Sequence, residues 1–189
     1  MAQAAKGGKA PKAESVARAK GYLLKAIGKS QVSTVERILK AGYPIEEPIQ
    51  SHGGQTSLMY AASVSEPEIC GLLLQYGADL AAVDSVGRTP LHYCCRGGNV
   101  QNLRLLIEKI TEQDKKELFE ARTAGGITPL IAAIQSSNLY MVAQCLNSSF
   151  SPFAVDCTGR SCLDYARPFK AVEGEDICKL VGIAQEQWR

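Results

Sequence analysis

The chain has 189 residues, 46% of them hydrophobic and 21% charged, with a formal net charge of +2. This is an ordinary soluble composition, long enough for one domain or one short repeat array, and no run of about 18 apolar residues offers a membrane span. Seven cysteines (Cys70, Cys94, Cys95, Cys145, Cys157, Cys162 and Cys178) are an odd count, which fits small hydrophobes in a reducing compartment better than a secreted disulfide framework.

The first stretch, "MAQAAKGGKAPKAESVARAK", has no apolar segment of the kind a secretory signal needs. Lys6, Lys9, Lys12, Arg18 and Lys20 face only Glu14, so residues 1–20 carry +4 and the remainder −2. Residues 1–14 are expected to form a disordered basic tail. Two roles stay open for it: a solubilising extension, or a contact to an acidic surface such as anionic lipid, acidic protein tails or nucleic acid. Nucleic acid is the least favoured, because the chain lacks the aromatic-plus-basic pattern of an RNA-binding sheet. "GGKAPKAES" also lacks the spacing and preceding strand of a phosphate loop.

Next comes "GYLLKAIGKSQVSTVERILKAGYPIEE" from Gly21, followed by four segments that align with one another. These are "GQTSLMYAA" from Gly54, "GRTPLHYCC" from Gly87, "GITPLIAAI" from Gly126 and "GRSCLDYA" from Gly159. Their leucines, Leu58, Leu91, Leu130 and Leu163, lie 33, 39 and 33 residues apart. Each segment reads as a glycine turn, a Thr or Ser helix cap, proline in the first turn at Pro90 and Pro129, and then a short helix of Leu and small residues. Second, amphipathic helices follow. Ile69, Leu72 and Leu73 form the buried side of "PEICGLLLQYG", and Val100, Leu103, Leu106 and Ile107 that of "VQNLRLLIEKI".

Gly77 is expected to end its helix in the left-handed conformation, with Gly42 and Ser149 at matching positions. The unit from Gly21 places Leu23 where the later leucines stand but lacks the Thr-Pro entry, as suits a terminal cap. Ile110 replaces the glycine in the third unit. The six extra residues there make a polar, helix-prone insertion that brings Leu118 and Phe119 back to the core. A last helix is expected from Glu175 to about Gln187, with Ile177, Leu180, Val181 and Ala184 on one face.

With the 33-residue recurrence, "TPLHYCCRGGN" and "LLLQYGADLAAVD" make the chain resemble the ankyrin-repeat family. The resemblance implies an all-α solenoid of about five helix–turn–helix units joined by β-hairpin-like turns. The units fall at about 15–51, 52–84, 85–123, 124–156 and 157–189, the outer two being caps. It also implies that His92, the motif histidine, bonds to the neighbouring repeat, and that Cys94 and Cys95 take the small-residue places of Ala61 and Ala62.

A metal site at His92, Cys94 and Cys95 lacks paired ligand spacings, and adjacent cysteines on a helix point about 100° apart. A Cys–His nucleophile needs a third orienting group, and the only other histidine is His52, in a turn. Cys157 and Cys162 flank a turn and are redox-sensitive only if exposed. No cofactor and no catalytic residue is assigned.

In the family pattern the residue after the motif histidine faces the concave groove. Here it is Tyr60, Tyr93, Ala132 and Tyr165. Tyrosine suits an interface, with a large contact area and a polar tip, although packing over the next helix explains the recurrence equally well. Arg88 and Arg160 share one repeat position near the hairpin tips, and Arg96 joins them as a candidate partner contact. The reading is a non-enzymatic intracellular scaffold or adaptor in the cytoplasm, with a protein partner held by groove and hairpin tips. One alternative is a structural subunit of a large cytoskeletal or ciliary assembly, since the chain is little more than the array. Another is a thiol- or metal-dependent enzyme.

Overall fold

The computed structural model describes residues 13–49, 53–64, 66–167 and 172–188, and among them the regular structure is helical. Five inner helices, α1 (Ala13–Gly28), α3 (Ser57–Val64), α5 (Pro90–Gly97), α8 (Pro129–Gln135) and α10 (Cys162–Ala166), stack side by side. Behind them lie the outer helices α2 (Val32–Lys40), α4 (Pro67–Gln75), α6 (Val100–Lys109), α9 (Leu139–Asn147) and α11 (Val172–Gln187). A short extra helix, α7 (Lys115–Phe119), lies in the six-residue insertion.

Apart from α1 and α11, which have 16 residues each, helices this short do not persist alone in water, so each depends on its neighbours. Small side chains allow the approach: Ala26, Ala61, Ala62, Cys94, Cys95, Ala133 and Ala166 are all buried. The backbones of α3 and α5 come so close that a Cβ on Gly97 would lie 2.7 Å from the Ser63 carbonyl oxygen. One continuous core runs along the stack, from Leu23 through Leu58, Leu91 and Leu130 to Ile177 and Val181. Asn102, fully buried on α6, reaches back one repeat to donate to the carbonyls of Ala61 and Ala62 at 3.4 and 3.2 Å.

Local chemistry fixes where each helix starts and stops. Pro90 and Pro129 occupy first-turn positions behind the caps Thr89 and Thr128. Ser161 and Asp164 bond reciprocally in a capping box. Asn99 and Asn138 cap α6 and α9 through their side-chain oxygens. Gly42, Gly77 and Ser149 follow their outer helices at φ 84°, 89° and 69°, so the serine does adopt the glycine conformation. Ile110 leaves α6 extended instead, at φ −78° and ψ 131°. The chain then winds through α7 and buries Leu118 and Phe119, and the Phe119 ring stacks on Phe150 with centroids 4.1 Å apart.

The last helix begins at Val172, three residues before the Glu175 start read from the sequence. Glycine in a first turn does not stop a helix whose next turns bury Ile177 and Val181. α1 runs from Ala13, so the expected tail of residues 1–14 lies, up to residue 12, outside the described residues, as does His52.

Hairpin turns project beside the inner helices and bond to one another: Ser85 N–H to Gly53 O at 2.8 Å, Ala124 N–H to Val86 O at 2.8 Å and Cys157 N–H to Gly125 O at 3.1 Å. The fit is closest at Gly126 (φ 76°), where a Cβ would stand 2.6 Å from the Cys157 nitrogen. Gly159 has the same kind of backbone (φ 81°) but open space around it. Gly159→Ala should therefore cost only the left-handed backbone strain, about 1 kcal/mol. Gly126→Ala adds the collision and should cost at least twice as much, as compared in urea melts of the two variants.

Candidate interaction groove

The hairpins stand beside the inner helices along what the family pattern makes the groove side, and two copies of one polar cluster join hairpin to helix. In the first, Asp84 Oδ1 accepts the N–H groups of Val86 and Arg88, each at 2.9 Å. Its Oδ2 accepts Arg88 Nε at 2.8 Å and the Tyr93 hydroxyl at 2.7 Å. The guanidinium of Arg88 lies over the Tyr93 ring, 5.2 Å from its centroid. In the second, Asp156 accepts the N–H groups of Thr158 and Arg160, the Thr158 hydroxyl, Arg160 Nε at 2.9 Å and the Tyr165 hydroxyl at 2.6 Å. Arg160 covers the Tyr165 ring at 4.6 Å.

Each cluster ties a hairpin to its inner helix through a carboxylate with almost no exposed surface. Burial pushes the Asp84 carboxyl up, but the donors from Arg88, Tyr93 and Val86 outweigh it and hold it below the usual range. The Tyr165 hydroxyl, with Thr158 and Arg160, holds Asp156 well below that range against burial. Burial first, and then the bonded carboxylate, push the Tyr93 and Tyr165 hydroxyls up to about 12, so both remain donors at neutral pH.

The three tyrosines differ in what they touch. The rings of Tyr93 and Tyr165 are half-buried and their polar tips are used internally. Tyr60 packs its hydroxyl end against α1, where it would lie 3.0 Å from a Cβ on Gly28. Arg88 and Arg160 are spent on their aspartates. Arg96 is exposed on the last turn of α5 and forms no ion pair among the described residues.

The sequence signal of the clusters is Asp-x3-Arg-x4-Tyr, recurring 72 residues apart. The repeat between them has Thr123, Ile127 and Ala132 at the three places, so the whole set is replaced together.

His92 is a strut. Thr89 N–H can only donate, so Nδ1, 3.1 Å away, accepts. The proton therefore sits on Nε2, which donates to the Ile127 carbonyl of the next repeat at 2.9 Å. Both ring nitrogens are engaged, and neither is left to act as base or ligand. Burial pushes the Cys94 thiol well up; the Cys145 contact at 3.6 Å and burial do the same for Cys95. Both thiols are thereby moved away from the reactive thiolate form. Cys157 is exposed and Cys162 buried. Among the described residues no group of three or more His, Cys, Asp or Glu side chains could hold a metal ion, and no helix is long and apolar enough to cross a membrane.

Stacked helix pairs with projecting hairpins and a lateral groove define a helical-repeat recognition solenoid. The family model for ankyrin repeats (3 copies) matches residues 23–118, about half of the chain. The chain belongs to the ankyrin-repeat family.

Over 121 residues it is 35% identical to human neurogenic locus notch homolog protein 2, covering 64% of this chain and 5% of that protein. It is 34% identical over 116 residues to the phosphocholine transferase AnkX of Legionella pneumophila, covering 61% of this chain and 12% of that one. Mouse NF-kappa-B inhibitor zeta is 31% identical over 90 residues, 48% of this chain and 12% of that protein. The chain therefore spans only a small part of the length of these relatives. Ankyrin repeats mediate protein–protein interaction, and the family is typically non-enzymatic.

Tyr93→Phe deletes a bond to a buried carboxylate and should lower unfolding free energy by about 2 kcal/mol. Tyr60→Phe, whose hydroxyl makes no such bond among the described residues, should be near neutral in the same urea titration. Burial lowers the His92 pKa, opposed by the Ile127 carbonyl and Asp84. The unfolded chain then binds the proton more readily than the folded one, so stability is complete above about pH 6.5 and falls as pH drops below it. His92→Asn should lose less stability than wild type between pH 7.5 and pH 5.5, with His52 cancelling from the comparison.

Proposed function

We propose that the chain is a protein-binding scaffold or adaptor that works in the cytoplasm without catalysis. The groove and hairpin tips hold the partner, and Tyr60, Tyr93, Tyr165, Arg88, Arg160 and Arg96 form the contact face. The observation that carries this is the doubled Asp-Arg-Tyr cluster. It fixes aromatic rings and guanidinium groups along one wall before any partner arrives, and such preorganisation reduces the ordering cost of binding. The engaged nitrogens of His92 and the buried thiols of Cys94 and Cys95 support a non-catalytic role. The expected units at about 15–51, 52–84, 85–123, 124–156 and 157–189 are the modules of this scaffold, and the basic residues before them serve either as a solubilising extension or as a contact to an acidic surface.

Affinity purification with mass spectrometry tests it, comparing wild type with the Tyr60, Tyr93 and Tyr165 triple alanine variant and with Arg96→Ala. Arg96 is exposed and unpaired among the described residues, so its loss should change stability by no more than about 0.5 kcal/mol. Both variants should lose proteins that wild type retains. Retention of the same proteins by both would exclude the groove as the contact face.

A further inference from the structure

The repeat between the two Asp-Arg-Tyr clusters lacks that set and leaves a gap in the groove wall. Where Tyr93 and Tyr165 spread a ring, Ala132 ends at its methyl group, and the space beside it is a notch of about 270 Å³. Val86, Ile127 and Ala132 supply apolar surface, and Arg88, Arg96 and Gln135 stand among the polar lining residues. No carboxylate lines it. Asp84 is buried beneath and saturated by its own donors, and the His92 ring is locked to Thr89 and Ile127. The Arg88 guanidinium is held by Asp84, which leaves the Arg96 charge uncompensated among the described residues.

The notch is half-open rather than enclosed and faces the hairpin side, so it suits one side chain of a longer ligand better than a small molecule that needs most of its surface buried. An apolar floor beside an unpaired guanidinium complements an apolar group next to a carboxylate. We propose that the notch at Ala132 receives a Leu, Met or Phe side chain from an extended segment of a partner protein, and that an Asp or Glu within two residues of it pairs with Arg96. This rests on the protein-binding reading above and adds the chemistry of the partner.

The test uses yeast-displayed random peptides selected against the full chain. Enriched sequences should carry Asp or Glu within two positions of Leu, Met or Phe. The strongest, made as a fluorescent peptide, should bind at least about tenfold more weakly to Arg96→Glu. It should weaken similarly toward a Thr123→Asp, Ile127→Arg, Ala132→Tyr variant, which fills the notch with the cluster its two neighbours already carry. Replacing the peptide's acid by Lys should restore binding to Arg96→Glu. Enrichment with no acidic bias, or binding that survives Arg96→Glu, overturns the proposal even if the triple variant fails to fold. A selection that enriches nothing overturns it too, while the wider protein-binding reading then stands or falls on the affinity purification.

Discussion

Inner helices of five to eight residues in four of the five units cannot hold themselves together in water, and this constraint organises the rest of the structure. Each survives by packing against its neighbours in the stack, which demands small side chains at the contact and caps at the ends. That is why alanine and cysteine exchange freely between Ala61, Ala62, Cys94 and Cys95, and why Gly97 has no room for a Cβ. Thr-Pro entries set the helix starts without using a backbone donor. The hairpins add a second line of bonds, running from Gly53 to Cys157 beside the helices.

Two buried carboxylates then connect the two systems. Asp84 and Asp156 close their hairpin turns through backbone donors and grip the inner helix through a tyrosine hydroxyl. The groove wall is therefore rigid where those clusters occur and open where they do not. Tyr93 and Tyr165 serve folding with the hydroxyl and leave part of the ring to the groove. The proposed function gives the same residue a recognition role as well, so substitution by Phe and by Ala asks different questions of it.

Much of this was legible in the sequence because it repeats. The 33-residue period gave the pairing of helices, and a glycine at a fixed offset marked the left-handed turns well enough to pick out Ser149 in the same conformation. His92 as a strut followed from the motif. The start of α11 did not, because Gly174 is a poor helix former and it is the apolar turns behind it that carry the helix back to Val172. Nor did the closure of the Asp-Arg-Tyr cluster, since an aspartate at a hairpin position has an ordinary role as a turn residue bonded to its own backbone. The gap at Ala132 is harder still to read. It is an absence, and it gains meaning only when its two neighbours are seen to be filled.

The cysteines give the molecule an internal clock. Cys70, Cys94, Cys95 and Cys145 are sealed in the core at successive repeats, whereas Cys157 lies on the surface. A thiol reagent meets the exposed sulfur at once and reaches the sealed ones only when the stack parts. Because the sealed sulfurs sit on α4, α5 and α9, the order in which they are labelled reads the order in which neighbouring repeats separate.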